Sequence, residues 1–276
     1  MSLREALAAP ALGLWRLVRP LLPRIDGDFR ILMLHDVPVS QQNALRQLVS
    51  GLAARNLLID PAEAERRLGG GGGKPGVLLS FDDGFASNGE VAEAILTPLG
   101  ARALFFVCPG LMALTGAAQR SAIAANVLRG RRAAPEGLMD WTGVERLAAA
   151  GHVIGSHTLD HRRLTELSSD QRAEQIGSAA EALTARLGSR PAWFAYTFGD
   201  ITSIDAAALA EIGRHHRFCR SGVRGANSAA IHPLALRGDH IDLAAGAAWR
   251  ALTVEGGLDP RYRAQRRQLD GMVAEG

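Results

Sequence analysis

Lysine is almost missing from this chain. Of 31 basic residues only Lys74 is one, so the positive charge rests on arginine, and the net charge is only +3. Aromatic residues make up 5% of the chain, too few to interleave with arginine in the manner of a nucleic-acid surface. The densest basic runs, Arg129–Arg132 and Arg261–Arg267, read as solvated surface, and no nucleic-acid partner is expected. The core must be built from Leu, Val, Ile and Ala. Two cysteines, Cys108 and Cys219, stand in unrelated apolar contexts and form no CxxC pair. That argues against a disulfide framework and fits a reducing compartment.

A bilayer-spanning run is also lacking. Ala6–Val18 is interrupted by Pro10 and Arg16 and is too short to cross. No small-residue cleavage site follows it, so a secretory signal is not expected. A cytoplasmic protein, in part peripheral to the inner membrane, is the expectation. Residues 1–25 read as a helical extension packed on the outside of the main domain. The alternative, with Leu12, Trp15 and Leu17 beside Arg16 and Arg19, is an amphipathic helix making peripheral membrane contact.

What the chain does have is alternation. Seven short apolar runs, Arg30–Val37, Val77–Asp83, Ala103–Cys108, His152–His157, Trp193–Phe198, Arg217–Ser221 and Pro233–Ile241, are nearly continuous, as strands buried on both faces should be. Helical spacing of apolar residues separates most of them, over Asn43–Arg55, Glu90–Leu99, Thr142–Ala150, Asp170–Leu187 and Ile204–Ile212. Gly100, Gly151, Gly188 and Gly213 follow four of these patterns, where left-handed caps are expected. Strand–helix alternation implies a parallel sheet. His35, Asp82, Asp83, His157, Tyr196 and Arg220 all fall at the C-terminal ends of their runs. Those ends share one face of a parallel α/β barrel, where catalytic groups collect. The expected fold is therefore a distorted TIM-like (β/α)7 barrel forming one domain over residues 26–256, with 257–276 as a basic C-terminal tail.

Gly69–Gly73 followed by Lys74 superficially resembles a phosphate loop. Leu68 occupies the first-glycine position and Pro75 replaces the hydroxyl residue that would hold magnesium, so it reads as a connection into the second strand. Pro109–Leu138 is a long excursion expected to contain a helix around Ala117–Leu128 and to form part of a substrate rim.

Chemistry concentrates in two places. Ser80-Phe81-Asp82-Asp83-Gly84 ends a strand with two adjacent carboxylates, so that one can hold a metal while the other stays free as a base. His157 and His161 are four residues apart, a spacing that would put both on one side of a helical turn and close enough to share a metal. Two histidines and one carboxylate leave open positions for water and substrate, the pattern of a catalytic metal site.

These motifs, Leu79–Gly84 and Gly155-Ser156-His157-Thr158-Leu159-Asp160-His161, resemble those of the NodB-like polysaccharide deacetylases, carbohydrate esterase family four. Met139-Asp140-Trp141, the Gly151-His152 turn and Trp193–Asp200 add to the resemblance, which covers about Arg30 to Asp242. It implies Asp82 as general base and Asp83, His157 and His161 as ligands of a divalent metal, Zn2+ foremost with other transition metals open. Met33-Leu34-His35-Asp36-Val37 resembles the opening strand of the poly-N-acetylglucosamine deacetylase branch, which implies His35 as general acid. Arg237 matches a late-strand arginine that orients the base, and a backbone N–H near Tyr196 matches the oxyanion donor. Two positions depart from the family: Thr197 stands where proline is usual, and the Arg-Pro-Pro-Tyr-Gly segment is absent, with Arg190-Pro191 too early to replace it.

The expected function is metal-dependent removal of an N-acetyl group from an amino sugar in a polysaccharide, an oligosaccharide or a lipid-linked glycan precursor, with an acetylated carbohydrate as the partner. The alternatives are an O-acetyl esterase or small-amide hydrolase on the same scaffold, and a non-catalytic carbohydrate-binding relative.

Overall fold

Continuous apolar runs need cover on both faces, and the strands have it. In the computed structural model, which describes residues 3–22, 26–130 and 137–274, the strands are β1 (Phe29–Leu34), β2 (Gly76–Phe81), β3 (Ala103–Val107), β4 (Val153–Ser156), β5 (Trp193–Ala195), β6 (Phe218–Arg220) and β7 (Asp239–His240). All pair in parallel, in the order β6-β5-β4-β3-β2-β1-β7. Every residue of β2 and β3 is buried. Each such Leu, Val or Phe contributes roughly 1.5–3 kcal/mol relative to exposure. The sheet curls into the expected (β/α)7 half-barrel.

The helices are α1 (Leu3–Val18), α2 (Val39–Ala54), α3 (Pro61–Leu68), α4 (Ala86–Val91), α5 (Pro109–Met112), α6 (Gly116–Ala122), α7 (Trp141–Ala149), α8 (Ser169–Leu187), α9 (Ala206–His215), α10 (Ala247–Val254) and α11 (Arg263–Ala274). α8 opens with a capping box between Ser168 and Gln171 and closes on Gly188 in the left-handed conformation. Its buried face carries Gln175, which reaches the site described below.

Several elements differ from their expected form. The run Pro233–Ile241 is a strand only at Asp239–His240, because Pro233 starts a 3-10 turn over Pro233–Ala235, in which the Leu234 amide donates to the His232 ring. The pattern at Glu90–Leu99 begins earlier, at Ala86, and continues as a wide π turn over Ala92–Leu96 and a 3-10 turn containing Pro98. Proline cannot donate to the ladder, and the helix tightens there. Gly213 is not a cap; α9 runs through it to His215. α3 was not expected at all; Asp60 starts it by accepting from the Glu63 amide. Residues 263–274, expected as part of a tail, form α11, with Leu269 fully buried and Arg266 donating to the carbonyls of Arg224 and Asp259. Arg24, Arg131 and Arg132 lie outside the described residues.

The inner face of α1 packs on α10: Leu12 is buried with Leu252 and Leu258, Trp15 and Trp249 lie alongside, and the Trp15 indole donates to the Glu255 carbonyl. Among the described residues no helix is long and apolar enough to cross a membrane.

Candidate active site

Several strands of the barrel deliver polar residues at the same end. Asp82 and Asp83 follow β2, and the Asp82 amide donates to the Leu34 carbonyl, extending the β1–β2 ladder by one step. The chain then turns sharply, with Asp83 at φ 72° and Gly84 at φ 75°. Left-handed backbone is costly for a residue with a Cβ. Thr158 (φ 65°), His161 (φ 59°) and Phe198 (φ 66°) share it. Four non-glycine residues in this conformation meet around one point, so backbone strain is concentrated where geometry has to be held.

That point is a buried triad. Asp83 Oδ1 lies 3.1 Å from His161 Nε2 and 3.4 Å from His157 Nε2, and all three residues are at most 3% exposed. The other ring nitrogens settle the tautomers. His157 Nδ1 is 2.6 Å from the Ala195 carbonyl and His161 Nδ1 is 3.2 Å from the Asn126 carbonyl. A carbonyl only accepts, so each Nδ1 carries a proton, and a ring in its neutral form turns an Nε2 lone pair toward Asp83. Asp83 Oδ1 has no hydrogen-bond donor. Three acceptors converging in a buried space are mutually repulsive without a cation among them. The donor set, two imidazoles and one carboxylate oxygen within 4.8 Å of one another, fits a divalent metal. Without such an ion a proton on a ring takes the cation's place: burial opposes the charge on the carboxyl, yet His157 and His161 hold Asp83 well below the usual carboxylate range. Burial likewise opposes a proton on His157, and Asp83 more than compensates, raising it.

The four-residue histidine spacing works differently from expectation. Residues 157–161 form no helical turn; the left-handed Thr158 and His161 fold the loop back so that the rings meet at 5.0 Å, edge to face. The loop is fixed from α8 and from the excursion after β3. Gln175 receives the Asp160 amide and donates to its carboxylate, while Asn126 donates to the Asp160 carbonyl. Such partners set ring orientation in metal sites.

Asp82 stands beside the triad with a separate set of neighbours. Arg220, at the end of β6, donates Nη2 to Asp82 Oδ1. The guanidinium is fully buried, lies 5.0 Å above the Phe106 ring, and donates Nη1 to Met33 Sδ. Gly238 makes room for it, since a Cβ there would sit 2.7 Å from Arg220 Cδ and 2.3 Å from the Ser221 carbonyl. On the far side His35 Nε2 is 3.9 Å from Asp82 Oδ2. Asn88 donates to the His35 carbonyl and Ser87 to Asp36, so the start of α4 holds the residues after β1. His35 opens onto a cavity of about 340 Å³ lined by Asp36, Gln41, His240 and Asp242 among others.

Arg237 is not at this site. Its guanidinium donates to Asp270 of α11 at 2.5 Å and to the Ala235 carbonyl. The arginine on Asp82 is Arg220, which the sequence placed at the right end of the barrel without a partner. The Tyr196 hydroxyl is also committed elsewhere, donating to the Gly199 carbonyl within the core. Thr197, at the usual proline position, donates its hydroxyl to the Arg162 carbonyl at 2.7 Å and so ties this loop to the residue after His161. Phe198 stands edge-on to His161 at 4.8 Å and carries the guanidiniums of Arg129 and Arg163 on its ring. Two residues escaped the sequence reading: Asn126, whose carbonyl orients His161, and His240, whose ring lies 5.4 Å from that of His35. Neither belongs to a local motif.

Comparison with known proteins finds the same fold. The barrel superposes on Streptococcus pyogenes deacetylase PplD, solved in complex with acetate, with a TM-score of 0.68 at 20% identity over 83% of this chain and 99% of that one. IcaB from Ammonifex degensii gives 0.65 at 20% identity, over 85% and 98%. The BpsB deacetylase domain from Bordetella bronchiseptica gives 0.65 at 15% identity, over 80% and 98%. At these identities the likeness is one of fold. In sequence, the uncharacterized protein YlxY of Bacillus subtilis (strain 168) is 31% identical over 71 residues, which are 25% of this chain and 22% of that protein. The polysaccharide deacetylase family matches residues 69–215, more than half of the chain and the stretch carrying Asp82, Asp83, His157 and His161, so this chain belongs to that family.

Proposed function

We propose that the protein removes the acetyl group from an N-acetylated amino sugar in a polysaccharide, an oligosaccharide or a lipid-linked glycan precursor, releasing acetate and leaving a free amine. The observation that carries this reading is the convergence of Asp83 Oδ1 with two Nε2 lone pairs beside a second, separately held carboxylate, Asp82.

Asp83, His157 and His161 would hold a divalent metal, Zn2+ being the best match to two imidazoles and a carboxylate. When bound, such an ion supplies Lewis acidity, polarising the acetyl carbonyl and lowering the pKa of water. The remaining work falls to side chains. Asp82 takes the proton from the attacking water, and Arg220 holds that carboxylate in place by donating to it. The backbone N–H of Tyr196 is the candidate donor to the developing oxyanion. His35 is half-exposed on the far side of Asp82 and gives a proton to the departing nitrogen as the C–N bond breaks.

Purified protein incubated with matched N-acetylated and O-acetylated saccharides, with acetate as the readout and metal content measured in parallel, tests the proposal. Acetate from the N-acetyl substrates in proportion to bound metal is expected. Release from O-acetyl esters alone, or no dependence on metal, would overturn it.

A further inference from the structure

Between α4 and α7, on the helix-covered side of the sheet, lies a cavity of about 700 Å³, twice the space beside His35. Small residues account for it. Gly89 and Ala92 on one wall and Gly143 and Ala150 on the other put no long side chain into the gap. The π turn over Ala92–Leu96 widens the helix there as well. Leu138, Met139 and Leu147 make much of the remaining wall apolar, and the size is that of a small-molecule site.

One wall residue is polar and unsatisfied. His152 lines the cavity, is only 5% exposed, and stands edge-on to Phe105 at 5.1 Å. Its Nδ1 accepts the Ala103 amide at 3.2 Å, and burial pushes its pKa down to about 4. At neutral pH the ring is therefore neutral, with its proton on Nε2. That N–H has no acceptor among the described residues. A buried donor left unmet costs about 1–3 kcal/mol, and an occupant of the cavity would meet it.

The charges of the cavity are sorted along its length. Asp140 caps the start of α7. Across the gap is Glu90, next to Gly89, where an added Cβ would sit 3.2 Å from Met139 Sδ. Neither Glu90 nor Glu93, which follows it along the same wall, has an ion-pair or hydrogen-bond partner among the described residues. Arg146 is on the last turn of α7, and His152 lies just beyond that helix. From Asp140 to Ala150 the helix rises roughly 15 Å.

We infer that this cavity is a second binding site, for a small amphoteric molecule with an ammonium group at the Glu90–Asp140 end, a carboxylate at the Arg146–His152 end and an apolar chain between them. A pure hydrocarbon would leave the His152 donor and the carboxylates unmet, and a sugar would set its hydroxyls against Leu138, Met139 and Leu147. The site is distinct from the Asp83 triad, although its walls help to frame it. Asn88 of α4 donates to the His35 carbonyl, and the Met139 amide donates to the Gly84 carbonyl. The inference does not rest on the deacetylase reading, since binding is measured without turnover.

The test is titration calorimetry of the full chain with 8-aminooctanoate, and with octanoate and octylamine, which each lack one end. Saturable binding of 8-aminooctanoate is expected, at least ~10-fold tighter than either truncated probe. Glu90→Lys, an exposed substitution, should weaken it at least ~10-fold. His152→Asn keeps an acceptor for the Ala103 amide but loses the Nε2 donor, and should weaken it roughly 10-fold. Glu90→Lys decides alone if the histidine variant does not fold. Asp83→Asn should bind the probe as the wild type does. No saturable binding by the wild type would overturn the inference, as would equal binding by Glu90→Lys. Binding lost in Asp83→Asn would also overturn it, by placing the probe's carboxylate at the triad.

Discussion

Arg220 and Asp82 are 138 residues apart and meet inside the barrel, where both are buried and the guanidinium donates directly to the carboxylate. The pair gives the carboxylate beside the Asp83 triad a partner of its own. It also separates two arginines that the sequence alone does not. Arg220→Lys keeps the charge but loses the planar fork, and kcat should fall roughly 10–100-fold. Arg237→Gln should lower the melting temperature through the lost contacts to Asp270 and Ala235 while leaving kcat essentially unchanged. Steady-state kinetics and thermal unfolding on the two variants separate the roles; a loss of kcat in Arg237→Gln alone would reverse the assignment.

The triad should behave as a unit toward metal. Asp83→Asn or His161→Gln should each abolish stoichiometric metal in the purified protein and lower activity at least ~100-fold. Elemental analysis beside acetate release checks this. A variant that retains one full equivalent of metal would remove that residue from the ligand set.

Thr197 holds the loop after β5 to the loop after β4 through the Arg162 carbonyl. Thr197→Val removes the hydroxyl with little change of shape and should cost about 1 kcal/mol of stability. It should also weaken metal binding several-fold, because the carbonyl it fixes directly follows His161. Chemical denaturation and competition with a chelator measure the two effects separately.

Two buried histidines outside the Asp83 triad should set an acid limit on stability. Burial pushes His152 down to about 4, with the Arg102 charge adding to it. Burial also pushes His216 down to about 4, against a hydrogen bond to the Pro191 carbonyl. The folded values lie below the ordinary 6.5, so the stabilising contribution is complete above pH 6.5 and is lost as pH falls toward 4. The loss is at most on the order of 3 kcal/mol for each ring. Melting temperatures should fall between pH 7 and pH 5, and His216→Gln should reduce that slope. A slope unchanged by the substitution would show that His216 is not among its causes.

How much of this was legible in the sequence follows from how local each feature is. The strands are short, apolar and punctuated by glycine, and the Asp82-Asp83 and His157–His161 pairs each sit within five residues at a strand end. Those features depend on neighbours in the chain and could be read from it. The Arg220–Asp82 contact, the Asn126 carbonyl behind His161 and the His35–His240 approach depend on barrel closure. No periodicity encodes them. The histidine pair shows the limit most clearly: spacing predicted proximity, but the cause is a left-handed loop and not a helical turn. α1 shows another. The sequence offered packing on the barrel or contact with a membrane, and the observed helix has one apolar face buried and a second left open.

The most direct measurement of the central claim is acetate release by Asp82→Asn that has been shown to retain a full complement of metal. With Asp82 as the proton acceptor beside an intact triad, the expected result is normal metal content and a kcat reduced roughly 10²–10⁴-fold. Wild-type turnover with the metal in place would contradict it.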